Sequence, residues 1–261
     1  MRNQYLVIDI GNTNIEIGVY SQAGIVCSWR INTNLNQSKD EYYATLDSLA
    51  KSSNINLQLT KLTAIASVVP DLSRIFNNLL RRHLNTEIIN VSANTPLGLT
   101  FPAKDPSFIG ADLVVNAYSA LHKYRTNVII CDFGTATTIQ LIGNEGRFYG
   151  TVIAPGIIIS SESLFNKASL LKSIQLETPK HTLGTNTKDS LLSGIITGHC
   201  LMVDSFIRRI KAEHSELSNI QAVATGGIST LLEKSLTEID HFDKKLTLDG
   251  LYLICKSHLQ K

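Results

Sequence analysis

The chain has 261 residues, 43% of them hydrophobic and 18% charged, which leaves two small lobes or one large α/β domain open and excludes an extensively disordered or fibrous polymer. Lys and Arg total 24 against 22 Asp and Glu, a net charge of +2. No segment gathers the basic residues into a stripe able to neutralise a row of phosphates, so nucleic acid is not an expected partner. Cys27, Cys131, Cys200 and Cys255 are scattered without a CxxC pair, which speaks against a zinc knuckle or disulfide framework and for a reducing cytoplasm. The opening MRNQYLVIDIGN lacks the unbroken apolar core of a secretory signal, and no apolar run approaches the ~18 residues of a membrane span.

Tyr5 to Ile10 reads as a buried strand ending in Asp9-Ile10-Gly11-Asn12-Thr13, and Ile15, Ile17 and Val19 alternate as a second strand does. A turn at residues 21–24 leads to a third strand, Ile25 to Ile31, completing a meander. Ser38 followed by Glu41 is a capping-box signature for a helix with Tyr42, Leu46, Leu49 and Ala50 on one face. Strand Thr63–Val68, helix Leu72–His83, strand Glu87–Val91 and helix Ala111–Lys123 then alternate. From Asn127 the pattern VIICDFGTATTIQLIG repeats LVIDIGNTNIEIGVY, with Asp132 lying 123 residues after Asp9 (132 − 9). A strand-turn-strand unit recurring near half the chain length predicts a duplicated two-lobe α/β architecture, divided at 1–115 and 116–261. A strand over Arg147–Ile153, a long helix from near Asp189, a strand over Ile220–Ala224, the turn Thr225-Gly226-Gly227 and a helix from Ile228 complete the reading.

The sequence contains no GxxxxGK[ST], GxGxxG or HExxH, and its seven histidines form no cluster. What remains is two Asp-x-Gly turns and a Thr-Gly-Gly turn. Glycine lets backbone N–H groups approach a polyanion, threonine hydroxyls add donors and a neighbouring aspartate holds a hydrated cation, so these are the parts of a phosphate clamp. A single Asx-Gly pair is equally what a hairpin turn demands, and the shared Asp, Gly and Thr of two such turns favour the clamp. Asp112, in the first turn of the helix opened by Gly110-Ala111, suits a helix cap as well as a reactive carboxylate, and Thr225-Gly226-Gly227 suits a helix start as well as a ligand loop.

Together the segments Asp9-x-Gly-Asn-Thr-Asn, Gly110-Ala111-Asp112, Asp132-Phe133-Gly134-Thr135-Ala136-Thr137-Thr138, Pro155-Gly156 and Asn186-Thr187 resemble the type III pantothenate kinases of the actin-like ATPase superfamily, in order and over nearly the whole chain. The resemblance implies two ribonuclease-H-like lobes, each with a central mixed sheet, ATP in the cleft between them, and a homodimer that completes the pantothenate pocket. It implies that Asp9, Gly11, Asn12, Thr13 and Asn14 bind ATP phosphates, with Asp9 facing Mg²⁺ through water. Thr135, Gly226 and Gly227 are then placed on ATP, and Asp132 on a monovalent cation, K⁺ or NH₄⁺. Gly110, Ala111, Asp112, Leu113 and Thr187 fall where pantothenate binds, with Asp112 as proton acceptor, giving 4′-phosphopantothenate in the first step of coenzyme A synthesis.

Two departures from the family pattern stand out. Leu113 replaces an arginine, which removes a fixed cation and five donors from beside an anionic substrate. Ala103-Lys104-Asp105-Pro106 replaces a Tyr-x-Asn-Pro pattern. These leave open a kinase of another small hydroxyl acceptor, or a non-catalytic nucleotide-binding regulator. Neither version implies a membrane partner.

Overall fold

A computed structural model describes residues 4–102, 105–167 and 174–259; Ala103 and Lys104, singled out above, lie outside them. The described residues fall into two compact units, 4–98 with 105–119 and 246–259, and 99–102 with 120–245.

In the first unit β1 (Gln4–Ile10), β2 (Asn14–Ser21), β3 (Gly24–Asn32), β4 (Thr60–Ser67) and β5 (Glu87–Asn90) form one sheet in the order β3-β2-β1-β4-β5. The meander β1-β2-β3 is antiparallel, whereas β4 and β5 run parallel to β1. Helices α1 (Lys39–Ser52) and α2 (Pro70–His83) supply the crossovers that parallel pairing requires. The capping box forms at α1: Glu41 N–H donates to Ser38 Oγ (3.3 Å) and Ser38 N–H to Glu41 Oε2 (2.7 Å). Because β1 alternates faces, Leu6, Ile8 and Ile10 meet Tyr42, Leu46, Leu72, Phe76 and Leu79 in one core, leaving Tyr5, Val7 and Asp9 on the other face. Helix α3 (Ala111–Tyr124) follows and contains the division between units, after Ser119.

The second unit repeats the plan. Strands β6 (Asn127–Phe133), β7 (Ala136–Ile142), β8 (Phe148–Pro155), β9 (Ile220–Thr225) and β10 (His241–Phe242) are ordered β8-β7-β6-β9-β10. β6, β7 and β8 are antiparallel neighbours, and β9 and β10 are parallel. Helix α4 (Ile157–Lys167) is followed by α5 (Thr187–Leu192), a π turn at Ser193–Thr197 and α6 (Gly198–Glu213), continuous from Thr187 to Glu213; α7 (Ser229–Leu232) follows β9. The continuous helix is long and apolar enough to cross a membrane, yet Ile195, Ile196, Cys200, Val203 and Ile207 are buried with Ile129, Cys131 and Phe133 of β6. The duplication expected from the two Asp-x-Gly segments is thus a duplication of sheet order and direction.

The last helix, α8 (Leu246–His258), returns to the first unit. It covers the face of the first sheet opposite α1 and α2: Tyr252 meets Tyr5 edge-on (5.4 Å) and stacks on Tyr20 (4.5 Å). The expected division at 115/116 placed these residues with the second lobe. They belong to the first because its second face is otherwise uncovered apolar surface. All four cysteines are free thiols.

Candidate functional site

The first Asp-x-Gly turn joins β1 to β2. Gly11 N–H donates to Asn14 C=O (2.9 Å), closing the turn, and a Cβ on Gly11 would stand 3.1 Å from that oxygen. Asn12 and Thr13 at its tip are exposed, whereas Asp9 is half-buried at the end of β1, opposite Glu16. Thr33, just beyond β3, donates its hydroxyl to Gly11 C=O (2.6 Å) and its N–H to Thr13 C=O (2.9 Å). No motif in the sequence reading included Thr33, since it lies 22 residues from Gly11.

The start of α3 lies at the same end of this sheet. Val68 N–H donates to Ile10 C=O (3.1 Å), and Val68 Cγ1 is 3.5 Å from where a Cβ on Gly110 would be. The same Cβ would overlap Asp112 Oδ1, so glycine at 110 is what allows the carboxylate to fold back over the helix start. Asp112 Oδ1 accepts the Leu113 N–H (2.9 Å). Burial raises the Asp112 pKa, and the backbone N–H donors of Leu113 and Asp112 itself pull in the opposite direction. Leu113 is 6% exposed, so its side chain belongs to the packing and its backbone serves the aspartate. The structure therefore brings Asp9–Asn14 and Gly110–Leu113 together at the C-terminal ends of β1 and β4, where α/β sheets bind ligands.

In the second unit Asp132 ends β6, opposite Thr138 and beside Thr225 of β9. This turn is one residue tighter than the first, with Gly134 N–H donating to Ala136 C=O (3.1 Å). Thr135 at its tip is exposed, and its carbonyl accepts the Gly156 N–H (3.1 Å). Gly226 takes a positive φ of 88°, and a Cβ there would lie 2.5 Å from Asp132 Oδ1 and 2.6 Å from the Phe133 backbone. Gly156 and Gly226 both pack against the turn, and a side chain at 226 would collide with the Asp132 carboxylate and the Phe133 backbone. Ser229 N–H (3.2 Å) and Oγ (2.7 Å) both donate to Gly226 C=O, fixing this approach. Gly227 follows, exposed. Thr187 opens α5 behind Asn186, whose side chain accepts the Asp189 N–H (2.9 Å). Beneath the turn, Thr137 Oγ1 meets His199 Nε2 (2.9 Å) just past the π turn, and burial lowers the His199 pKa. No linear motif signals that pair.

The family model for type III pantothenate kinases matches residues 5–209. A type III pantothenate kinase of an Exiguobacterium species is 39% identical over 95% of this chain and 97% of its own length. The chain belongs to the type III pantothenate kinase family. Among solved structures, a conserved Campylobacter jejuni protein assigned to the Baf family of transcriptional activators aligns with a TM-score of 0.60 at 18% identity, covering 98% of this chain and 100% of that one. The polyphosphate/ATP-glucomannokinase of an Arthrobacter species aligns at 0.51 and 12% identity, covering 99% and 100%. These likenesses show the fold, that of the actin-like ATPases and sugar kinases, and agree with the two mixed sheets.

Proposed function

We propose that this member of the type III pantothenate kinase family transfers the γ-phosphoryl group of ATP to the primary hydroxyl of pantothenate, with Asp112 accepting the hydroxyl proton, and so makes 4′-phosphopantothenate for coenzyme A synthesis. The observation that carries the reading is the Asp112 carboxylate itself, folded over the start of α3, raised in pKa by burial and placed at the same strand ends as the Asp9 turn. Phosphoryl transfer through a loose transition state needs positioning and charge neutralisation more than covalent chemistry. A buried carboxylate orients the attacking hydroxyl and takes its proton late, and its raised pKa brings it nearer the operating pH of a general base. Asn12 to Asn14 then offer backbone N–H groups to the phosphates, and Gly110 to Leu113 serve the acceptor.

Among the described residues no three His, Cys, Asp or Glu side chains gather into a metal site. That suits Mg²⁺ arriving with ATP, because this ion keeps most of its water and needs one or two protein carboxylates, a demand Asp9 meets at the end of β1. A monovalent cation would be held by the Asp132 carboxylate, against which the Gly226 backbone packs; bound there, it offsets phosphate charge. The homodimer expected of the family belongs to the same proposal.

Leu113 favours a second reading, a kinase of another hydroxyl acceptor, because the buried leucine offers pantothenate's carboxylate no cation. Coupled measurement of ADP release on adding pantothenate, with and without K⁺, decides between them. Pantothenate-dependent, K⁺-stimulated turnover is expected. ADP release with other hydroxy acids but not pantothenate would establish the second reading, and none with any acceptor would leave a nucleotide-binding regulator.

A further inference from the structure

The turn between β1 and β2 is oriented from outside its own motif. Thr33 uses its two donors on the carbonyls of Gly11 (2.6 Å) and Thr13 (2.9 Å). A trans peptide unit is planar and its C=O and N–H point in opposite directions. With Gly11 C=O turned to Thr33, the N–H of Asn12 in the same plane is turned away from it; the Thr13 carbonyl fixes the N–H of Asn14 in the same manner. Thr33 is itself fixed through its neighbour. Asn34 N–H donates to the Tyr42 hydroxyl (2.9 Å), which donates to Asn34 C=O (2.9 Å). Tyr42 is 1% exposed and packs on Phe76 with ring centres 5.1 Å apart. The orientation of an exposed turn is thereby anchored in the core of the first unit.

We infer that Thr33 is a positioning residue that aims the N–H groups of Asn12 and Asn14 at the phosphates of the nucleotide before it binds, an inference that rests on reading that turn as a phosphate clamp. Exposed turn peptides reorient freely in water, and ordering them at the moment of binding weakens an anion's affinity; amides already aimed escape that loss. Only ligands with phosphates benefit. The nucleoside and the acceptor do not touch this turn in the reading above, so Thr33 should discriminate among ligands in a way that a general packing role would not.

The test is calorimetric titration of Thr33→Val, which keeps the branched shape and removes the hydroxyl donor, with ADP, a non-hydrolysable ATP analogue and adenosine, alongside steady-state kinetics and melting curves. The wild-type protein is expected to bind both phosphorylated ligands. Thr33→Val should bind them roughly 3–10-fold more weakly, the worth of one hydrogen bond. Adenosine affinity and the KM for pantothenate should stay unchanged, and Thr33→Ser should restore phosphate binding. Tyr42→Phe, which leaves Thr33 in place but releases Asn34, should show a smaller loss with the same ligand pattern, and decides the matter if Thr33→Val melts below the assay temperature. Unchanged ADP affinity in Thr33→Val, equal losses for ADP and adenosine, or failure of serine to restore binding would overturn the inference while leaving the kinase reading intact. Absence of phosphate-dependent binding by the wild-type protein would overturn both.

Discussion

Asp112 is held by opposing forces, burial that favours its neutral form and helix-start amides that favour its charged form, with burial the larger. Since the native state binds the proton more tightly than the unfolded chain, stability is greatest below the ordinary aspartate range and falls as pH rises through the raised native value. Asp112→Asn removes this charge at little steric cost. It should lower kcat by roughly the 10²–10⁴-fold of a lost general base and leave nucleotide binding unchanged. Its melting temperature should equal or exceed the wild type's, by a margin that grows with pH across that transition. A pH-independent drop in melting temperature would make Asp112 a cap alone. The wild-type rate should decline on the acid side at a higher pH than an ordinary carboxylate would impose. Leu113 makes the complementary case. A cation at a site 6% exposed has little water to meet, so Leu113→Arg should destabilise by about 2 kcal/mol or more and raise the KM for pantothenate. Lower KM with unchanged melting would instead mean that the leucine is a depleted arginine site.

Elements whose signals are local were legible. The Ser38/Glu41 cap, the Tyr42-Leu46-Ala50 face and both strand-turn-strand segments appear where the residues alone place them. Elements set by distant contacts were not. α8 carries Gly250 mid-helix, a poor helix former, because a Cβ there would stand 2.8 Å from Ser119 Cβ and from Val115 Cγ1 and O, so the glycine serves the close approach of α3. α4 opens with three consecutive isoleucines rather than a helical stripe, and Gly156 precedes it for the sake of the Thr135 carbonyl. At the candidate site, adjacent glycines single out Asp9, Asp112 and Asp132 in the sequence, whereas Thr33 and His199 contact the two turns from 22 and 62 residues away and leave no pattern in the chain. The π turn at Ser193–Thr197 ends two residues before His199, which faces Thr137. Burial holds His199 below the ordinary histidine pKa, so in the native protein it stays neutral where an unfolded histidine takes up a proton. Stability is then full above about pH 6.5 and declines as pH falls below it. His199→Gln should flatten that part of the melting-temperature curve; an unchanged slope would assign it to other groups.

At the scale of the molecule the chain leaves its first unit before finishing it. After α3 it builds the whole of 120–245, then returns with α8 to cover β1, β2 and β4. Leu246, Leu248, Leu251, Tyr252, Ile254 and Cys255 are buried along that helix, and each large apolar side chain so placed contributes about 1.5–3 kcal/mol. Polar contacts fix the seat: Tyr20 donates to Asp249 (2.6 Å), Tyr252 to the Ser21 carbonyl (2.8 Å) and Thr247 to Asn116 (2.7 Å). Since a folded domain holds only about 5–15 kcal/mol in reserve, the first unit should not survive loss of this helix, while the second keeps every strand of its own sheet. Truncation after Lys245 is therefore expected to abolish hydrogen-exchange protection in β1, β2 and β4 and to retain it in β6, β7 and β9. A synthetic peptide of residues 246–261 added to the truncated protein should restore protection in the first set, at concentrations set by its affinity for the open face. Equal loss in both sheets would show that the two units unfold as one, and retained protection in β1 would show that α8 is dispensable to the sheet it covers.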